Sequence, residues 1–344
     1  MKSTITFALV ASTALAGSVA FAQQKTLYVA GYGGSYEQVM RKEVIPAFEK
    51  QANVKVEYVA GNSTDTLAKL QAQKGNQQID VIIVDDGPAY QAVSLGFCGT
   101  LTDAAVYADV APVMKFKSNK AIGLGMVATG LFYNKKAFEE NKWPAPTSWT
   151  DLKDARFRKK LVIPPINNTY GLHALIAFAQ LGGGGEAKIE AGFKTIKDEI
   201  NANVLAYEPS PAKMTELFQN GQAVIGVWGS GRVKSFADTG FPAEFVYPKE
   251  GGYALGIAGC PVEGSKNAAE ANAFLQYMLT PPVQVVMAVG GGSGPANTKV
   301  TLTPEQQKGL PYGEQVKLLK AVDWDVANDK REEWTRRWNR EIER

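Results

Sequence analysis

Along the chain, short apolar runs alternate with amphipathic stretches, and the junctions between them repeat one pattern of strand, polar or glycine-rich turn, and helix. Residues 26–59, TLYVAGYGGSYEQVMRKEVIPAFEKQANVKVEYV, show it first. Residues 26–30 have a strand's β-branched and aromatic make-up, 31–35 form a glycine-rich turn, 36–50 carry apolar residues at helical spacing, and 54–59 read as a second strand. This predicts a βαβ unit. In such a unit the loop after the first strand lies at the carboxyl edge of a parallel sheet, beside the unsatisfied N–H groups of the helix, so a ligand is expected there. The loop does not name that ligand. Tyr36 stands where a dinucleotide fingerprint has its third glycine, and glycines in a tight turn also serve simply to permit positive φ.

The same grammar recurs downstream. A helix is predicted over 63–72 with Leu67 and Leu70 inward, and 80–84 (DVIIV) is a continuous apolar strand of the kind buried on both faces. That strand runs into Asp85 and Asp86, two carboxylates at a carboxyl edge; an aspartate there also reads as the cap of a helix over 89–96. Residues 120–134 form a glycine-bearing β run long enough to pass from one lobe to another, and Thr147 and Ser148 can cap a helix starting near Trp149. A strand at 161–165 leads through Ile166 and Asn167 to Asn168, Thr169, Tyr170 and Gly171, then a helix over 172–181, where the amide and hydroxyl read either as caps or as ligand contacts. Residues 223–236 repeat the sequence of strand, break at Trp228, Gly229, Ser230 and Gly231, and helix from Arg232. Trp228 reads as core or as a flat surface for stacking or for a cation.

Composition narrows the class. With 45% hydrophobic and 21% charged residues, the chain is a folded globular protein, and its length predicts two lobes. A net charge of +3 gives no footprint for nucleic acid. Residues 1–22 read as a cleaved secretory signal: Lys2, an apolar stretch over 5–16, and Ala20, Phe21 and Ala22 at the cleavage site. That stretch is shorter than the roughly 20 residues a membrane span needs. The mature protein is therefore expected from Gln23, exported to the periplasm and not inserted in a membrane, and Cys98 and Cys260 are expected to be paired there, with two small buried hydrophobes as the alternative.

Five stretches then carry a resemblance: the opening strand and glycine loop, VWGSG at 227–231, VYPKEGG at 246–252, PPVQ at 281–284 after FLQYML, and WTRRWNREI at 334–342. In this order and spacing they resemble the spermidine/putrescine-type periplasmic solute-binding proteins of ABC importers, of the type II periplasmic-binding-protein class. The resemblance implies an α/β fold of two lobes, each a mixed, mostly parallel sheet flanked by helices, with a ligand cleft between them. It implies lobe one over 23–127 and 256–298, lobe two over 128–255 and 299–344, hinges near 126–129, 255–258 and 297–300, and delivery of the solute to an ABC permease at the inner membrane. A monomer without cofactor is expected. Tyr32 and Tyr36 fall where that family places aromatics, Asp85 where it has a polar contact, and Trp228 at its stacking tryptophan.

Two departures change the expected ligand. Amides stand at 167–168 where polyamine binders carry an acid, and Tyr253 is followed by Ala254 where they carry an aspartate. Each buried ammonium needs a partner, so a polyamine needs several carboxylates; this chain offers Asp85, with Asp86 in reserve. Features that welcome an anion are the helix starts after Gly34 and Ser35, after Asn168 and Thr169, and after Ser230, together with Arg232. A small zwitterion is expected, its ammonium on Asp85 and the faces of Tyr32, Tyr36 and Trp228, with a short polyamine as the alternative if Arg232 faces solvent; Tyr170 and Tyr253 complete the candidate set. Two rivals are weighed. A ferric-iron-binding relative would need paired tyrosines, where the loop offers only Tyr170 and the single histidine, His173, lies within a helix. A periplasmic enzyme would have to work with carboxylates alone, because nucleophile-elbow, phosphate-loop and metal spacings are missing, and adjacent Asp85 and Asp86 point apart on an extended chain.

Overall fold

The structure is a computed structural model describing residues 24–343, so the expected leader at 1–22 lies outside the described residues. In chain order the first half runs β1 (Thr26–Tyr32), α1 (Ser35–Val39), α2 (Ile45–Ala52), β2 (Lys55–Gly61), α3 (Ser63–Ala72), β3 (Val81–Asp85), α4 (Asp86–Ser94), β4 (Ile122–Asn134), α5 (Lys135–Glu140), β5 (Leu161–Ile163) and α6 (Thr169–Leu181). The second half runs α7 (Glu190–Thr195), β6 (Val204–Tyr207), α8 (Pro211–Gln219), β7 (Ile225–Gly229), α9 (Ser230–Ala237), β8 (Ala243–Val246), β9 (Gly252–Pro261), α10 (Ala268–Met278), α11 (Pro281–Val289), α12 (Pro304–Gln307) and α13 (Trp324–Glu341).

The periodic segments fold as their patterns require. The expected single helix over 36–50 is instead α1 and α2 joined by a π-helical turn at Met40–Val44. Helix α4 starts at Asp86, three residues ahead of the expected 89, because Pro88 falls in the first turn, where backbone N–H groups have no intrahelical partner to lose. Strand β3 is buried along its whole length, as a continuous apolar run with covered faces should be.

One path of strands, β2-β1-β3-β9-β4-β7-β5-β6, serves both lobes. Strands β1, β2 and β3 pair in parallel, as do β5, β6 and β7. Between these sets lie β4 and β9, antiparallel to each other, with Val127 opposite Leu255. The first part of β4 pairs with β9, and residues 129–134 pair with β7 and β8; thus each long strand belongs to both lobes. One core gathers Leu27, Phe48, Val81, Leu124, Leu255 and Phe274. The other gathers Leu131, Trp149, Leu161, Phe178, Trp334 and Trp338. Helix α13 thus inserts Trp334 and Trp338, one turn apart, while its opposite face carries i,i+4 ion pairs such as Arg336 with Glu332.

Cys98 and Cys260 lie behind the first core, their Cα atoms 5.6 Å apart and their sulfurs bonded, at a sequence separation of 162. Such a tie removes conformational freedom from the unfolded chain. Replacing both by serine is expected to lower the unfolding free energy by about 2–4 kcal/mol, read by denaturant titration; an unchanged midpoint, or two free thiols by mass spectrometry of the exported protein, would refute it.

Candidate ligand-binding site

The carboxyl ends of β1, β2, β3, β5, β6 and β7 all open on one cavity of about 500 Å³. That size suits a small molecule. Lobe one contributes Tyr32 and Gly34 after β1, Asn62 and Ser63 after β2, and Asp85 at the end of β3; the other lobe contributes Asn168, Thr169 and Tyr170, Glu208 and Ser210, and Trp228 with Arg232. Three of the helices that begin at this wall have a side-chain-capped first turn. Asn62 accepts from the Asp65 N–H (2.8 Å), Asn168 from the Tyr170 N–H (3.0 Å), and Ser210 from the Lys213 N–H (3.4 Å). Both alternatives read at Asn168 therefore hold at once, since it caps α6 and lines the cavity. Ser35 and Tyr36 line a smaller recess of about 40 Å³ that shares Tyr32, Asp85, Tyr170 and Arg232 with the main cavity.

Asp85 is the best-anchored polar group of the wall. It is 9% exposed, takes the Tyr32 hydroxyl on one carboxylate oxygen at 2.7 Å, and takes the Thr169 hydroxyl on the other. Its backbone N–H donates to Ser63 Oγ at 3.0 Å. The contact with Thr169 crosses from one lobe to the other. Burial pushes the Asp85 pKa above the ordinary carboxylate range, opposed by the hydrogen bonds from Thr169, Tyr32 and Ser63 and by the charge of Arg331.

Arg232 makes the second crossing. Its Nη1 donates to the Gly33 carbonyl at 3.0 Å and to Ser35 Oγ at 3.2 Å. Gly34 permits this twice over: its φ of 69° is left-handed, and a Cβ would come within 2.9 Å of that same Nη1. Tyr32 and Tyr36 meet edge to face at 5.1 Å, and Trp228, 4% exposed, reaches the wall from a cluster in which Phe132 stacks on Phe218. Burial raises the Tyr170 pKa to about 12, so its hydroxyl stays protonated.

Three expected site residues lie elsewhere. Asp86 opens α4 and turns away from Asp85 to the opposite side of the hinge, where Trp324 and the Gly256 backbone hydrogen-bond it. Gly87 admits that indole, because a Cβ there would sit 2.3 Å from the Trp324 ring. Ser230 is fully buried and accepts the Ala128 N–H at 3.0 Å, so its hydroxyl holds β4 to α9 and does not face the cavity. Tyr253 is 1% exposed in the second core, against Trp149 and His173. His173 is also core: its Nδ1 bonds Thr129 Oγ1 at 2.7 Å, and burial drops its pKa to about 3. Among the described residues no group of three metal-ligating side chains is assembled. The sequence reading missed Asn62, Ser63, Glu208 and Ser210. Their signal was the same grammar of strand, polar turn and helix, at 59–66 and 206–212.

A cleft at the carboxyl ends of two sheets sharing two strands defines the two-lobed periplasmic-binding-protein class. The family model for bacterial extracellular solute-binding proteins matches residues 43–311, and the chain belongs to that family. It is 27% identical over 323 residues to an uncharacterized protein of Haemophilus influenzae, covering 90% of this chain and 89% of that one. Two solved structures share the fold. The periplasmic binding protein AfuA of Actinobacillus pleuropneumoniae, with fructose-6-phosphate bound, gives a TM-score of 0.78 at 23% identity, over 93% of this chain and 99% of its own. AgtB of A. tumefaciens R10, in complex with agropinic acid, gives 0.76 at 23% identity, again over 93% and 99%. The protein is thus a bacterial extracellular solute-binding protein, acting outside the cytoplasm.

Burial raises the Asp86 pKa from 3.8 to about 7, with Asp85 adding to the rise and Trp324 opposing it. A carboxyl whose folded pKa exceeds its unfolded one favours folding while neutral; that contribution is full below about pH 4 and lost as pH rises through about 7. His173, with a lowered pKa, acts oppositely, losing stability as pH falls below its ordinary 6.5. Asp86→Asn is expected to gain at least about 1 kcal/mol over wild type between pH 5 and pH 8, measured by denaturation across that range. Parallel pH profiles for the two proteins would refute it.

Proposed function

We propose that this chain captures a small zwitterion, an amino-acid-like amine with an anionic end, and hands it as a monomer to its permease. The observation supporting this is the double sign of the cavity wall. The starts of α3, α6 and α8 each bring partial positive charge to it, and Arg232 adds a full one. Against these stand two carboxylates, Asp85 and Glu208. An acid alone would leave Glu208 without a counter-charge. A polyamine would bring two or more ammonium groups to helix ends and a guanidinium that repel them. The names of the ligands in the two solved neighbours, an acid and a phosphate, fit a cleft that takes an anionic end.

We divide the chain into lobe one, residues 24–127 and 256–312, and lobe two, residues 128–255 and 313–343, closing about β4 and β9. The second boundary is moved from the expected 298 because Val300, Leu302 and Leu310 pack on Ala288 of α11, in lobe one. In this reading residues 1–22 direct export and are removed, and the α13 surface is a solvated face of lobe two.

A thermal-shift screen of putrescine, spermidine and ω-amino acids, preceded by native mass spectrometry of the protein as purified, tests the ligand class. A ligand at 100 times its Kd is expected to stabilise by about 2.7 kcal/mol. Arg232→Ala is expected to weaken binding of a responding amino acid by about 10- to 100-fold, as loss of a charge-assisted hydrogen bond implies. Tight spermidine binding with no response to any amino acid would overturn the proposal.

A further inference from the structure

Resting on the zwitterion reading, we infer that Glu208, and not Asp85, receives the ligand's protonated amine, while Asp85 bolts the two lobes together. Asp85 is poorly placed to serve a ligand cation. Each of its oxygens already accepts a hydroxyl, from Tyr32 on its own lobe and from Thr169 on the other. It is nearly buried, and the positive charge of Arg331 stands near enough to act on it. An ammonium arriving there would meet a carboxylate that already accepts a hydroxyl on each oxygen and a cation already in its field.

Glu208 offers the opposite. It directly follows β6 on the cavity wall and is half-buried. Its Oε1 accepts the Ser210 N–H at 2.7 Å, which fixes the side chain, while among the described residues its Oε2 has no hydrogen bond and the carboxylate has no salt bridge. Pro209 and Pro211 restrict φ on the segment that carries it, so the carboxylate is held in place before ligand arrives. Three aromatic rings of the same cavity, Tyr32, Tyr170 and Trp228, supply the faces that favour a cation. A buried ammonium needs one charged acceptor and loses little if its remaining surface meets rings. The ligand class is therefore an acid that also carries a protonated amine.

The test is calorimetry with 5-aminopentanoate and with pentanoate, its analogue lacking the amine, on wild type, Glu208→Gln and Thr169→Val, each checked for native circular dichroism. Wild type is expected to prefer the amino acid by at least about tenfold. Glu208→Gln should shrink that preference to within about twofold, whereas Thr169→Val, which loosens the bolt, should weaken both ligands in proportion and keep the preference. If Glu208→Gln keeps the preference, or loses affinity equally for both compounds, Glu208 is not the amine acceptor, although the zwitterion reading survives. If wild type responds to no ω-amino acid of three to six carbons, the zwitterion reading falls and takes this assignment with it.

Discussion

Two long strands running in opposite directions, β4 and β9, constrain nearly everything else in this molecule. Each is buried along almost all of its length and each pairs in both lobes. Buried backbone groups must be paired, so neither strand can leave its neighbours in one lobe to serve the other. The two parallel sets therefore meet across a shared spine with their carboxyl edges facing one another. A cavity ringed by six strand ends follows from that arrangement, as does a bend that can occur only where the spine passes between lobes.

The electrostatics of the cleft come from the same geometry. Parallel strands followed by helices bring helix starts to a common edge, so the wall is positive before any charged side chain is counted. Into that field the chain places one guanidinium and two carboxylates with different duties. Arg232 and Asp85 both make hydrogen bonds from lobe to lobe, and those bonds favour the closed form without ligand. Glu208 is held from its own lobe and keeps an oxygen open. Affinity in such a cleft depends on how much closure the ligand must add to what these crossings already supply.

Behind the spine lies a second set of polar groups outside the cavity, which reaches it through Asp85. Asp86 meets Trp324, Asn328 donates to the Gly87 carbonyl at 3.0 Å, and Arg331 approaches Asp85 from α13. Burial lowers the Arg331 pKa to about 10, which leaves it charged in neutral solution. These contacts tie the C-terminal helix of one lobe to the first turn of α4 in the other. They make the back of the hinge a polar joint, and its cost in desolvation is offset only while its partners stay in place.

Local chemistry made much of this legible in the chain. Apolar periodicity located α3 at its observed bounds and the long strand 122–134 to within two residues, because period and capping act over a few neighbours. Glycine turns and polar turns after strands marked where a cavity wall would form, and the motif order carried the family. What the sequence could not decide was facing. Asp85 and Asp86 are adjacent and chemically identical, yet one lines the cleft and the other joins Trp324 behind it, since that depends on where α13 packs, more than 200 residues on. Ser230 was weighed wrongly, and Glu208 was missed, for the same reason. A hydroxyl at a helix start looks like a ligand contact until a distant strand claims it, and a glutamate followed by Pro209 and Pro211 looks like a surface turn until the opposing lobe encloses it. Side-chain roles of this kind are set by contacts between residues far apart in the chain, and only the folded structure brings those residues together.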